Sequence, residues 1–191
     1  MKKLCCLFLL LFVSTNFQGQ NTNLPYANIP EPAEDYTAGS VVSRMLDGLG
    51  FRYYWATEGL TEKDLSFQAG VDVRTTEETI DHILDLSQMI VNSALAIPND
   101  TPQPTMSFEE KRKKTLKNLE EASRIFRTAE DLSKFTIVFQ RGDKTYKFPF
   151  WNQLNGPVSD AIWHVGQVVS FRRLSGNPLP KGVNLLTGTK N

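Results

Sequence analysis

Between Thr75 and Pro98 the apolar residues recur at steps of three and four: Ile80, Ile83, Leu84, Ile90, Val91 and Ala94, with Ser87 on the same line. That spacing puts them on one stripe of an α-helix and leaves the opposite face polar. Such a helix cannot shield its own stripe, so the chain must supply further elements to cover it. Both ends are marked. Thr75 is an N-cap residue, Glu78 three positions later completes a capping box, and Pro98 stops the helix.

Three other stretches carry the same period. A first helix is expected from Ser40 to Glu58, with Val42, Met45, Leu46, Leu49 and Tyr53 inward. Gly48 and Gly50 within it allow a kink or a close approach. A third helix starts at the N-cap Ser107, carries Glu109 and Glu110 in its first turn, and runs to about Leu132. Its inward residues are Leu116, Leu119, Ala122, Ile125 and Phe126. A fourth starts near Pro157, after Asn155-Gly156, and ends at Gly176. Between the third and fourth helices Phe135, Ile137 and Phe139 alternate, Arg141-Gly142-Asp143 turns the chain, and Tyr146 and Phe148 alternate. That is a β-hairpin, and the Arg-Gly-Asp triplet is its turn rather than an adhesion motif. The expected fold is all-α: a four-helix bundle over residues 39–178 with a small β-hairpin between helices three and four. Residues 21–38, with Pro25, Pro30 and Pro32, form an extended leader, and residues 179–191 a tail.

The first twenty residues read differently. Lys2 and Lys3 precede an apolar run from Leu4 to Val13, followed by small and polar residues up to Gln20. This is the three-part pattern of a secretory signal peptide, and the run is short for a membrane span. An uncleaved anchor is the alternative, since Phe17 suits a cleavage site near Gly19 poorly. The expected location is periplasmic or secreted. Cys5 and Cys6 are the only cysteines, so the mature domain has neither a disulfide framework nor a cysteine nucleophile. Removing Lys2 and Lys3 from the 21 basic residues leaves 19 against 21 acidic, a net charge of −2. That balance offers nothing to nucleic acid or to an anionic membrane.

The chain has 2 histidines, His82 and His164. On a helical wheel His82 lies off the Ile/Val stripe of its helix, beside Glu78, Leu86 and Met89. The fourth helix has an apolar stripe of Val158, Ile162, Val165 and Val169, with Asp160, His164, Gln167 and Phe171 roughly opposite. A face of Asp, His, Gln and Phe reads as a pocket lining, not as plain solvent surface. Asp160 and His164 are four apart and project from one face. Two ligands at that spacing plus a third from a neighbouring helix can hold a divalent metal. Imidazole and carboxylate suit zinc, nickel, iron or manganese, and three protein ligands leave a position open. The competing reading is a pair of surface or hydrogen-bonded histidines. Gln167 is placed to support His164 from behind. Glu78 reads first as the cap, and Arg172 and Arg173 as charges that complement a helix C-terminus rather than an anion site. Trp55, Trp151 and Trp163 read as core or pocket wall.

The segment GPVSDAIWHVGQVVSFRRLSGNP, from Gly156 to Pro178, resembles the DinB family of DinB/YfiT-like metalloenzymes, as do the His82 helix and LTEKDL from Leu60 to Leu65. The resemblance implies a four-helix bundle with up-down-down-up connections. It also implies one divalent metal, zinc or nickel foremost, held by three histidines. Carried over, His82 matches the first and His164 the last. Asp160 stands where the middle histidine is usual, which gives a two-histidine, one-carboxylate set. Family members include thiol-dependent transferases. Low-molecular-weight thiols are mainly cytosolic, so an exported member points instead to metal-activated water and hydrolysis. The expected function is therefore an exported metal-dependent hydrolase or transferase acting on an unidentified small molecule. The alternative is a non-catalytic exported bundle with a structural metal or a small-ligand pocket. Homodimers are common among such bundles, although no exposed apolar stripe in the sequence demands one.

Overall fold

A computed structural model of the chain describes residues 24–100 and 104–191, so the expected signal segment at residues 1–20 lies outside the described residues. The protein is mostly helical, with two small two-stranded sheets. Helix α1 spans Ala38–Thr57 and α3 spans Thr76–Leu95, with the short α2, Glu62–Leu65, between them. Helix α4 spans Phe108–Arg127. The three long helices all start with capping boxes. In α3 the Glu78 N–H donates to Thr75 Oγ1 (3.1 Å) and the Thr75 N–H to Glu78 Oε2 (2.8 Å), as the sequence predicts. Thr37–Ser40 and Ser107–Glu110 do the same for α1 and α4. Helix α4 stops at Arg127, short of the expected Leu132, which instead opens a single 3₁₀ turn, Leu132–Lys134.

Strands β1 (Ile137–Arg141) and β2 (Lys144–Phe148) pair antiparallel, with Arg141 opposite Lys144. The two-residue turn between them is Gly142-Asp143, and Gly142 adopts φ 57°, a left-handed conformation that glycine takes without steric cost. The last helix starts earlier than the sequence suggests. Helix α5 begins at Phe150 and runs to Gln153, a π-helical turn follows at Leu154–Val158, and α6 spans Ser159–Leu174. Pro157 has no N–H to give to the regular ladder. The wider π turn absorbs it, so Asn155-Gly156-Pro157 sits inside the helical path instead of before it. In the tail a further small hairpin, β3 (Val183–Asn184) with β4 (Thr189–Lys190), occupies what reads in sequence as loop.

One hydrophobic core joins α1, α3, α4 and α6. Its centre holds Leu46, Leu49, Ile80, Ile83, Leu116, Leu119, Val158 and Val165. Helix α4 lies between α1 and α3, and α6 closes against both. Polar contacts fix the directions. Arg112, early in α4, donates to Thr57 Oγ1 (3.0 Å) and the Tyr54 carbonyl (3.3 Å) late in α1. Ser123, late in α4, pairs with Ser43, early in α1, at 2.8 Å. These two helices run antiparallel. Lys111, early in α4, meets Glu77 and Asp81, early in α3, and Asn118 meets Ser87 midway, so α3 and α4 run parallel.

The inward stripe of α6 differs from the one expected. Val158, Ala161, Val165, Val168 and Arg172 are buried, whereas Ile162 is 38% exposed and Val169 only half-buried. Counting apolar residues alone misses that Arg172 turns inward. Its side chain, 2% exposed, donates through Nη1 to the Trp55 (2.8 Å) and Ala56 (3.0 Å) carbonyls at the end of α1. Nε and Nη2 donate to the Asn177 carbonyl (2.7 Å) and Oδ1 (3.2 Å). Those α1 carbonyls have no intrahelical partner, so the guanidinium caps one helix from another. Next to it the buried Asp64 accepts from the Thr61 N–H (2.9 Å), Thr61 Oγ1 (2.8 Å), Asn177 Nδ2 (2.7 Å) and Ser175 Oγ. The LTEKDL segment and the end of α6 therefore meet as one hydrogen-bonded lock.

The leader and the tail are fastened to this body. The Tyr26 ring lies over Gly50, where a Cβ would overlap it, and its hydroxyl donates to Asp47 Oδ1 (3.2 Å). The Ile29 N–H donates to the Gly188 carbonyl (2.8 Å), tying leader to tail. Gly50 is thus a close-approach residue, one of the two roles the sequence allows for it.

The lock predicts a pH signature. Burial opposes ionisation of Asp64, but the hydrogen bonds from Ser175, Asn177 and Thr61 outweigh it and hold the carboxyl below the usual range. A depressed carboxylate contributes stability above its unfolded pKa and loses it as pH falls. Asp64→Asn should cost about 2–3 kcal/mol at pH 7, from lost charge-assisted hydrogen bonds. In urea unfolding the gap to the wild type should narrow steadily below about pH 4. A pH-independent gap would show that the charge of Asp64 is not what the lock uses.

Candidate metal centre

The capping box sets the start of α3, and His82 follows two turns later on the side facing α6. The π turn sets the start of α6, and Asp160 lies in its first turn with His164 one turn beyond. The three side chains the sequence singles out are brought together. His82 Nε2 lies 3.2 Å from Asp160 Oδ2, and His164 Nε2 lies 3.3 Å from Asp160 Oδ1. The two imidazoles stand edge to face, with centroids 4.6 Å apart and planes at 84°. The three ligand atoms lie within 4.8 Å of one another, and the group could hold a metal ion. The two carboxylate–imidazole separations run to different oxygens of Asp160, so the carboxylate lies between the two rings.

Burial is graded. The His164 side chain is 13% exposed, His82 28% and Asp160 39%, so the cluster opens to solvent on the carboxylate side. His164 Nδ1 is 2.6 Å from Gln167 Oε1, the supporting contact expected from the sequence. An amide oxygen accepts, so Nδ1 carries the proton and Nε2 presents its lone pair to Asp160. Two acceptors then face each other at 3.3 Å, an arrangement that calls for a cation between them, a proton or a metal.

The neighbours are acidic. Asp85, one turn beyond His82, keeps an exposed side chain but is partly desolvated by its neighbours, which pushes it above the usual carboxylate range, an effect that His82 partly offsets. Lys111 serves Glu77 and Asp81, whose hydrogen bonds and charges outweigh its burial and raise its pKa. Other residues weighed in sequence stand elsewhere. Glu78 is tied into the α3 cap. Arg172 caps α1, and Arg173 is exposed at the end of α6. Trp151 and Trp163 are each 72% exposed, not core, while Trp55 is half-buried and donates to the Ala27 carbonyl (3.1 Å). Asp85 escaped the sequence reading. Its position three residues after His82, on the same side of the helix, is the signal that would have found it.

Comparison with family models, curated proteins and solved structures returns no match for this chain.

If Gln167 holds the His164 tautomer, removing it should weaken metal binding without unfolding the protein. Gln167→Ala should lower zinc affinity 10- to 100-fold in competition with a chromogenic chelator, with the thermal midpoint of the metal-free protein unchanged. Unaltered affinity would show that Gln167 does not orient the ring.

Proposed function

We propose that this protein is an exported, DinB-like four-helix bundle that holds one divalent metal ion, zinc or nickel, between His82, Asp160 and His164, and uses it for hydrolysis or group transfer on a small molecule. The observation that carries the reading is the convergence of two imidazole Nε2 atoms on the two oxygens of one carboxylate, from two different helices. The up-down-down-up arrangement is supported by the pairing of helix ends. Helix α1 is antiparallel to α4, and α4 is parallel to α3. Gln153, before α6, reaches the Ile90 carbonyl late in α3, while Asp160 reaches His82 earlier in it. Arg172 brings the ends of α6 and α1 together.

The donor set fits such an ion. Two neutral imidazoles and one carboxylate leave a net positive centre with a position open to water or substrate. A bound divalent ion would lower the pKa of a water or thiol in that position and polarise a carbonyl or phosphoryl oxygen. The chain's own residues do the rest. Gln167 keeps the His164 proton on Nδ1, and Asp160, the most exposed of the three, borders the open side. Export, read from residues 1–20, favours water over a small thiol as the nucleophile.

A non-catalytic bundle with a bound metal or ligand is the second reading. Among the described residues no further acid or base hydrogen-bonds to the three side chains, and Glu78 is occupied in its cap. Equilibrium dialysis followed by elemental analysis tests the shared premise. One equivalent of zinc or nickel should bind, and His164→Ala should lose it. The thermal midpoint in chelator should stay within a few degrees of that of untreated protein, since the cluster lies at the edge of a complete apolar core. Unfolding on chelation would mark a structural metal. No stoichiometric metal would remove the enzyme reading.

A further inference from the structure

We propose that the groove along the outer side of α3 binds an organic cation: an ammonium group carried on an apolar body. The groove encloses about 710 Å³ between α3, the start of α4 and β1, a size typical of small-molecule sites. Its apolar wall is made by Leu84, Met89, Met106 and Phe139. Thioethers and an aromatic ring suit an alkyl or aryl body.

The polar lining selects the charge. Three amides are linked in a chain that ends on the backbone. Gln88 Nε2 donates to Asn92 Oδ1 (2.7 Å), Asn92 Nδ2 to Asn99 Oδ1 (2.9 Å), and Asn99 Nδ2 to the Val138 carbonyl (3.0 Å). Lys111 is held by Asp81 at 2.7 Å and Glu77 at 3.0 Å, so it is not free to receive an anion. Arg141 is the other base in the lining, on exposed β1 backbone next to the hairpin turn. Asp85 is different. It lines the groove and makes no hydrogen bond or ion pair among the described residues. A carboxylate beside an apolar wall, with no ion pair of its own, is the group an ammonium pairs with best. An anionic ligand would meet three carboxylates, Asp81, Asp85 and Asp100, against the two bases Lys111 and Arg141.

Asp85 is one turn along α3 from His82, so a ligand held there lies beside the candidate metal centre. Binding in the groove needs no metal, and the inference stands or falls apart from that reading.

The test uses 2-phenylethylammonium, its neutral analogue 2-phenylethanol and the anion 3-phenylpropionate. Each is titrated by NMR into the protein at pH 7 with chelator present. The ammonium should bind at least about tenfold more tightly than the alcohol, and the carboxylate most weakly. Asp85→Asn should bring the ammonium down to the level of the alcohol. Asp85 is exposed, so this substitution does not touch the core. Glu130→Gln, exposed beyond the end of α4 and outside the groove, should leave the preference intact. Equal binding of ammonium and alcohol, tighter binding of the carboxylate, or a preference that survives Asp85→Asn would each overturn the proposal.

Discussion

The arrangement of this protein depends on a guanidinium buried where a helix ends. Taking Arg172 out of water costs several kcal/mol unless its donors are matched. Here they reach two α1 carbonyls and both oxygens of Asn177, with the charge of Asp64 close by. The contact does more than satisfy those groups. It fixes the rotation of α6 about its axis. Counting back at 100° per residue, His164 and Asp160 stand roughly 80° and 120° round the helix from Arg172. With Arg172 turned to α1, those two residues are presented to α3 and to His82.

The π turn sets the other end of the same helix. Without it, Pro157 would break the ladder two residues before α6 begins. With it, the helical path runs from Phe150 to Leu174, and Gln153 can anchor to α3 while Asp160 keeps its place in the first turn of α6. Asp160 is short, so its two oxygens can each meet one imidazole across the helix–helix gap. His82 Nε2 can donate to Asp160 Oδ2, but His164, with its proton on Nδ1, meets Oδ1 acceptor to acceptor, which is unfavourable without a positive charge between them. This is the physical ground for reading the cluster as a cation site rather than an incidental contact.

Much of this was legible in the residues. The caps of α3 and α4 and the alternation in β1 and β2 are local signals, and each appears where the pattern puts it. His82, Asp160 and His164 were found because they interrupt faces that ought to be uniformly apolar or uniformly charged. What escaped was non-local. Arg172 reads on a wheel as a charge near a C-terminus, and only the neighbouring end of α1 gives it a reason to turn inward. The same blindness put Ile162 in the core and left Ala161 and Val168 out. Pro157 looked like a helix start because a proline at the first position is common, whereas a proline inside a π turn leaves no such mark. The exposed Trp151 and Trp163 were misplaced because size and apolarity speak for burial unless the partner helix is known.

The central claim is that two imidazoles and one carboxylate from α3 and α6 hold one metal ion. X-ray absorption spectroscopy on protein carrying one equivalent of zinc tests it directly. The account predicts a first shell of nitrogen and oxygen at about 2.0–2.2 Å, with the outer-shell scattering of two imidazole rings. One of those rings should vanish in His164→Ala. A shell of oxygens alone, with no imidazole scattering, would contradict it.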